Sequence, residues 1–346
     1  MDKEKENQKP YKKFAQGLFI VKSKNSSFNS DFSGLPRRLP DKEGTIYATD
    51  KALKYCIRKY LDDDGEKVFV WRRDDEKGEP LTLEDNYKRF LKDKLKLSVD
   101  KDHFKKETNK DVLKNLLKAL DSRLFGVTFA KSSGSKEEKK NVSVTGSCQI
   151  SYGINKMQES AFYNNDILSP YKNKESDKQR TLGNETKTLE VHYVYDFIIN
   201  PNNLISDIEF IGEKERQDLL LSQNDVKKFK KSICKGVNHV NSASKIGCEG
   251  ELLLFIESDT KEENGKLKGI LLPLMKDLVK VNKSENNEEK IKVDLSGIFE
   301  KVAKYLLPKE HSIEIYYNPD FTQLEGIDHS LNVAEKNIIT LKNIQP

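Results

Sequence analysis

At 346 residues the chain is long enough to bury a sizeable core, as one elaborated domain or two smaller ones. Its hydrophobic share is 36% and its charged share 34%. That balance argues for a large solvated surface with long polar insertions, and the density of the apolar segments argues against wholesale disorder.

Residues 1–13 are polar and read as a disordered tail. Residues 14–21 (FAQGLFIV) form a short apolar run of strand character, followed by a polar loop, KSKNSSFNSDFSGLPRRLPDKEG. Thr49 or Asp50 then caps a helix over KALKYCIRKYL. Ala52, Leu53, Cys56, Ile57 and Tyr60 share one of its faces, and Lys51, Lys54, Arg58 and Lys59 lie largely on the other. Residues 62–110 read as an insertion with an acidic turn, a strand-like piece at 68–71 and a helix at 83–95. A further amphipathic helix at 111–120 leads into a strand at 122–130 (SRLFGVTFA). Residues 131–140 form a flexible hairpin tip, and 142–152 (VSVTGSCQISY) return as the paired strand, with Gly146 interrupting the alternation.

The polar stretch 153–187 is too long for an ordinary connection and reads as a functional protrusion. A strong strand (188–199), a helix (224–240), a strand (249–257), a helix (295–306) and a strand (312–317) complete the chain. Without its insertions the order is strand, helix, three strands, helix, strand. This is an α+β class close to the split βαβ pattern of ferredoxin-like and RNA-recognition folds. That fold hosts many functions and decides none of them.

Net charge is only +5, so bulk charge says little about a polyanion partner. The distribution says more. Residues 9–60 carry 12 Lys/Arg against 4 Asp/Glu, residues 222–250 carry 6 against 2, and residues 61–85 reverse the sign with 10 acids against 4 bases. Arg37 and Arg38 are adjacent in a chain with nine arginines. Their forks suit phosphate, although an ordinary surface loop would also accommodate them. Phe125, Phe129 and Tyr152 suggest stacking platforms, but the shared parity of Phe125 and Phe129 favours the core. His239 lacks a companion nucleophile and reads as a structural hydrogen-bonder.

No P-loop, GxGxxG, GxSxG or HExxH occurs. The four cysteines, Cys56, Cys148, Cys234 and Cys248, show no CxxC spacing, which argues against zinc and against a secreted disulfide framework. The N-terminus has no apolar h-region and no run of about 18 apolar residues could span a bilayer, so the chain reads as cytoplasmic with no membrane partner.

Five segments in order carry a resemblance. They are KSKNSSFNSDFSGLPRRL, TDKALKYCIRKYL, DSRLFGVTFA, VSVTGSCQISYGINKM and FKKSICKGVNHVNSASKIGCEGELLLFIES. Together they resemble the backbone subunit of type I CRISPR Cascade complexes, most closely the type I-B branch. One departure lies in the first loop, where the family often has an Asn-Pro-Asn-Gly-like run and this chain has Lys24-Asn25-Ser26-Ser27.

The resemblance implies a right-hand shape. The palm would comprise 14–61, 121–152 and 188–346, with a fingers insertion at 62–120 and a thumb at 153–187. It implies copies stacked head to tail along a CRISPR guide RNA, bound to other Cascade subunits, with the guide pairing to target DNA. Such a subunit has no catalytic role, cofactor or metal. The implied RNA-facing residues are Lys22, Lys24, Asn25, Arg37 and Arg38 in the first loop, and Lys51 and Lys54 at the first helix. Asn155, Lys156, Gln158 and Lys187 follow at the thumb, and Asn241, Ser242 and Lys245 after the second helix. Residues 61–85 would register a neighbour through Asp62, Asp63 and Asp64. Two rivals stand beside this reading: a metal-dependent RNA-cleaving subunit of the type III kind, using Asp31, and a standalone RNA-recognition protein.

Overall fold

The computed structural model describes residues 9–100, 103–131, 140–157, 161–173, 176–212, 216–285, 290–306, 311–327 and 337–344. In chain order the elements are β1 (Phe14–Ser26), β2 (Tyr47–Ala48), α1 (Asp50–Asp63), α2 (Leu83–Asp93), α3 (His103–Lys106), α4 (Asn109–Leu117) and α5 (Leu120–Phe125). Then come β3 (Val127–Lys131), β4 (Lys140–Val144), β5 (Cys148–Ile150), β6 (Gly153–Asn155), β7 (Phe162–Asn173) and β8 (Ser176–Ile199). A 3-10 turn (Pro201–Leu204), α6 (Ile205–Ile211), α7 (Arg216–Leu219), α8 (Gln223–His239) and β9 (Cys248–Ser258) follow. The last part holds β10 (Lys261–Glu263), β11 (Lys266–Lys268), β12 (Lys280–Lys283), β13 (Ile291–Asp294), α9 (Ser296–Leu306), β14 (His311–Tyr317), β15 (Thr322–Glu325) and β16 (Asn337–Asn343). Among the described residues no helix is long and apolar enough to cross a membrane.

The large sheet runs β16-β14-β9-β1-β8-β6-β2, with β5 and β7 also paired to β8. Its centre, β9-β1-β8-β6, is antiparallel throughout. With α1 following β1 and α8 following β8, this is the split βαβ order expected from the sequence. Residues 14–21 of β1 are all buried, because the run FAQGLFIV is apolar on both parities. One face packs Phe19, Val21, Tyr195 and Phe197 under α1 and α8, which contribute Leu53, Ile57, Phe229 and Ile233. The other face packs Leu18, Ile20, Leu254 and Ile313 under α9 and the segment 272–281.

Two buried polar side chains fasten that second cover. Gln16 donates from Nε2 to the Ile270 carbonyl (2.9 Å) and accepts from the Leu272 N–H (3.0 Å). Asp196 Oδ1 accepts from the N–H groups of Met275 (2.8 Å) and Lys276 (2.9 Å). Burial holds the Asp196 carboxyl above its usual range despite these donors.

A third core gathers Phe69, Tyr87, Phe90, Leu116, Val127, Phe129, Val142, Leu204 and Ile208. The insertion therefore has its own hydrophobic centre, and the β3–β4 hairpin belongs to it instead of to the large sheet. Phe129 lies in this core and Phe125 in the first, so neither offers a stacking platform.

Several expectations need correction. The strand expected at 122–130 begins as α5. Arg123 reaches both carboxylate oxygens of Asp225 (3.1 and 2.9 Å), and the turn ends at Gly126 with φ 79°. The single strand expected at 142–152 breaks into β4 and β5, because Gly126 and Gly146 meet backbone to backbone. A Cβ on Gly146 would sit 2.2 Å from the Gly126 nitrogen. Residues 68–71 join no strand; the chain bends at Val70, where the Trp71 N–H donates to the Phe69 carbonyl (2.8 Å). Asp121 Oδ1 accepts from the Phe69 N–H (2.8 Å) and Oδ2 from the Val70 N–H (3.0 Å).

Residues 9–13, expected in the disordered tail, are ordered. Tyr11 is buried and its N–H donates to the Leu221 carbonyl at 2.7 Å. The protrusion expected at 153–187 is largely a hairpin of β7 and β8. Side chains of 168–184, and residues 132–139 of the hairpin tip expected at 131–140, lie outside the description.

Asp121 also accepts from Arg58 Nε on α1 (3.0 Å) and is fully buried, so it joins the insertion to the first core. Asp121→Ala leaves two N–H groups and a guanidinium without their acceptor. It is expected to destabilise the fold by about 3–5 kcal/mol, read as a lowered urea midpoint.

Candidate nucleic-acid interface

One end of the large sheet brings together most of the loops expected to face RNA. Strand β1 runs on to Ser26 because its hydroxyls are paired: Ser23 Oγ lies 2.8 Å from Ser26 Oγ, and Thr188 Oγ1 donates to the Ser26 carbonyl (2.9 Å). The 241–247 loop docks on this strand end. Lys24 N–H donates to the Gly247 carbonyl (2.8 Å) and Ser27 N–H to the Ser244 carbonyl (2.8 Å). Asn29 Oδ1 accepts from the Thr49 N–H (2.9 Å), which ties the same loop to the start of α1. Asn155 N–H donates to the Ile46 carbonyl (3.0 Å), which brings in β6.

Between these loops lies a cleft of about 390 Å³ lined by Lys22, Lys24, Asn25, Asn238, Asn241 and Lys245, among others. Asn25 adopts φ 50°, a conformation Asn tolerates better than most residues. Lys24, Asn25, Asn241 and Ser242 are exposed. Among the described residues, the side chains of Lys24 and Arg37 make no ion pair or hydrogen bond within the chain; Arg37 Nε is buried without a partner.

Other expected contact residues are committed to the protein's own architecture. Lys245 Nζ donates to the Ser27 carbonyl (2.9 Å) and to the Phe28 carbonyl, and sits 5.3 Å over the Phe28 ring. Burial lowers its pKa, and its role is to clamp two loops together. Lys54 is buried, pairs with Asp50 at 2.9 Å and lies over the Phe125 ring; it faces the core. The Asn155 amide accepts from the Met157 and His192 N–H groups (3.1 and 2.9 Å) and donates to the Met157 carbonyl (3.0 Å), so it shapes backbone.

Lys22 pairs with Glu249 (3.0 Å), Lys156 with Asp277 (3.0 Å) and Lys187 with Glu185 (3.3 Å). Arg38 donates from Nη1 to the Gly44 carbonyl (2.7 Å) and stacks 4.9 Å over Phe162, which anchors β7 to the first loop. Lys51 is exposed beside Asp50 at 3.4 Å. Gln158 lies outside the described residues.

The acids expected to register a neighbour are engaged internally. Asp62 pairs with Lys94 (2.7 Å), Asp63 with Lys59 and with His239 (2.6 Å), and Asp64 with Lys231 (3.1 Å). The same Asp63 contact accounts for His239. Asp31, suspected under the cleavage rival, uses Oδ1 to accept from the N–H groups of Ser33 (2.8 Å) and Leu35 (3.0 Å). Among the described residues no three His, Cys, Asp or Glu side chains gather as a metal-holding group.

A family model described as CRISPR-associated protein Cas7 matches residues 13–295. The chain belongs to the Cas7 family. No curated protein matches it. A solved chain described as "CRISPR RNA-guided surveillance complex, pre-nicking" is 10% identical, with 96% of this chain and 97% of that one covered at a TM-score of 0.43. Another, "CRISPR RNA-guided surveillance complex", is 12% identical over 94% of each chain, also at 0.43. Both likenesses are distant.

A feature of this Cas7 chain invisible in its sequence sits just behind the cleft. His192 is fully buried, with Nδ1 2.5 Å from Glu251 and Nε2 3.5 Å from Glu190. The two acids lie 2 and 59 residues away along the chain, so spacing carries no signal. Burial opposes the charged ring, but Glu251 and Glu190 outweigh it and raise its pKa to about 9. Since an unfolded His titrates near 6.5, the stabilisation is fully present below about pH 6.5 and is lost as pH rises through about 9. Urea unfolding at pH 6.5 and 9.5 is expected to differ by roughly 3 kcal/mol from this group. His192→Gln should be less stable at pH 6.5 and flatten that difference.

Proposed function

We propose that this Cas7 chain is the non-catalytic backbone subunit of a type I-B Cascade-like surveillance complex, acting in the cytoplasm in antiviral defence. It polymerises head to tail along a CRISPR guide RNA, contacts other Cascade subunits, and presents the guide for pairing with target DNA. The family match over residues 13–295 carries the reading. The free cations at the sheet end support it. The side chains of Lys24 and Arg37 make no hydrogen bond or ion pair within the described residues, which leaves both cations able to take a phosphate. A coat for guides of varied sequence must bind phosphate and sugar without reading base edges.

In this reading the sheet with α1 and α8 is the palm. The insertion, taken with the β3–β4 hairpin that shares its core, is the fingers, and the β7–β8 hairpin is the thumb. Head-to-tail contacts are heterologous and generate an open helix. The direct RNA contacts narrow to Lys24, Asn25, Arg37, Lys51, Asn241 and Ser242. Lys22, Lys156, Lys187 and Arg38 contribute charge from within ion pairs or stacking contacts, Lys245 and Asn155 hold the loops in place, and Gln158 stays a candidate contact.

Microscopy of the purified chain should show extended particles with guide RNA and small ones without it. Particles that do not lengthen would reject the coat, and RNA cleavage with Mg²⁺ abolished by Asp31→Ala would replace it with the nuclease reading. Because Arg38 is tied to Gly44 and Phe162, Arg37→Ala should weaken RNA binding more than Arg38→Ala does. The loss should be equal across scrambled sequences, with the slope of log affinity against log salt reduced by about 0.7. A sequence-dependent loss contradicts the phosphate role.

A further inference from the structure

Midway along the first loop a closed turn presents one aromatic ring to solvent. Asp31 N–H donates to the Leu35 carbonyl (2.8 Å), and Asp31 Oδ1 takes the N–H groups of Ser33 and Leu35. Gly34 supplies φ 80°, and Ser30 bridges Pro36 across the base. Phe32 stands at the apex with 106% relative exposure, the most exposed large apolar side chain described. The turn is held by Asp31 and Gly34 and gives no conformational reason for an aromatic at position 32. A ring presented to water on a braced turn is preorganised, so it would lose little backbone freedom on contact with something outside the chain.

The surroundings indicate what that is. Arg37, one residue beyond the bridge, carries the unpartnered guanidinium. On the loop that Lys245 clamps to Ser27 and Phe28, Ile246 is 81% exposed and lines the cleft together with Lys22, Lys24 and Asn241. Cations for phosphate flanked by an exposed ring match the chemistry of single-stranded nucleic acid, in which the ring takes a base face and needs no particular base.

We infer that Phe32 is a base-stacking residue, covering one face of an unpaired base of a bound single strand while Lys24 and Arg37 hold adjacent phosphates. This rests on the RNA-binding reading above and adds to it a contact with a base. Stacking is sequence-tolerant and non-ionic, so its signature differs from that of the cations.

The full chain would be titrated with guide-length RNA carrying 2-aminopurine at successive positions. Wild-type protein should change the fluorescence at particular positions. Phe32→Ala should weaken binding about tenfold or more with an unchanged salt slope and an unchanged melting temperature, and abolish that fluorescence change. Phe32→Trp should retain both affinity and signal, and Phe32→Leu neither. Wild-type RNA binding with unaltered affinity and signal in Phe32→Ala overturns the stacking role alone. Full rescue by Phe32→Leu, or loss of RNA-free self-association in Phe32→Ala by sedimentation, assigns the ring to protein contact and also overturns it. If the wild-type chain binds no RNA, the proposed function fails together with this inference.

Discussion

Burial of β1 on both faces is the constraint from which the rest follows. A strand with apolar residues on both parities needs two covers. Helices α1 and α8 form one, and the C-terminal part of the chain forms the other. The second cover is not merely greasy. Gln16 and Asp196 place polar groups in the middle of an apolar face, and each is bonded to backbone of the segment laid over it, Asp196 through Oδ1 alone. Removing the segment would strand both side chains, so the sheet and its cover specify one another. With neither face open, the sheet cannot serve as a flat platform for bases, and in the proposed reading contact with RNA falls to the loops at its end.

This division explains what could be read in the chain beforehand. The strands at 14–21, 188–199 and 249–257, the helix opening at Thr49 and the helix at 224–240 are legible because they are continuous apolar runs or periodic ones. The errors at 122–130 and 142–152 have one source. Two glycines, Gly126 and Gly146, cross in space; the sequence shows Gly146 interrupting the alternation but not that another backbone passes against it. Likewise Tyr11 is a single aromatic in a polar tail, and only its pairing with Leu221 shows that it belongs to the core.

The candidate site was legible as loops and much less as residues. Composition marks a cation; it does not reveal whether a carbonyl or carboxylate already waits for it. Lys245 meets two carbonyls more than 200 residues away in sequence, and Lys54 turns inward to Asp50 and Phe125. Phe32 shows the converse. A lone Phe among Ser, Asp and Gly carries no period, and only the Asp31 turn reveals that it points outward.

Strand β8 spans 24 residues, Ser176–Ile199, roughly 80 Å if fully extended. Its first half pairs with β7 alone, while its second half lies between β1 and β6 at the centre of the sheet. Hairpin and sheet therefore share one unbroken backbone with no hinge residue where they join. A load applied along the hairpin reaches the hydrogen bonds beside β1 directly, as along a cantilever set in masonry. Bending it would strain the region around His192 and Asn155, the same end of the sheet where the 22–38 and 241–247 loops are fastened.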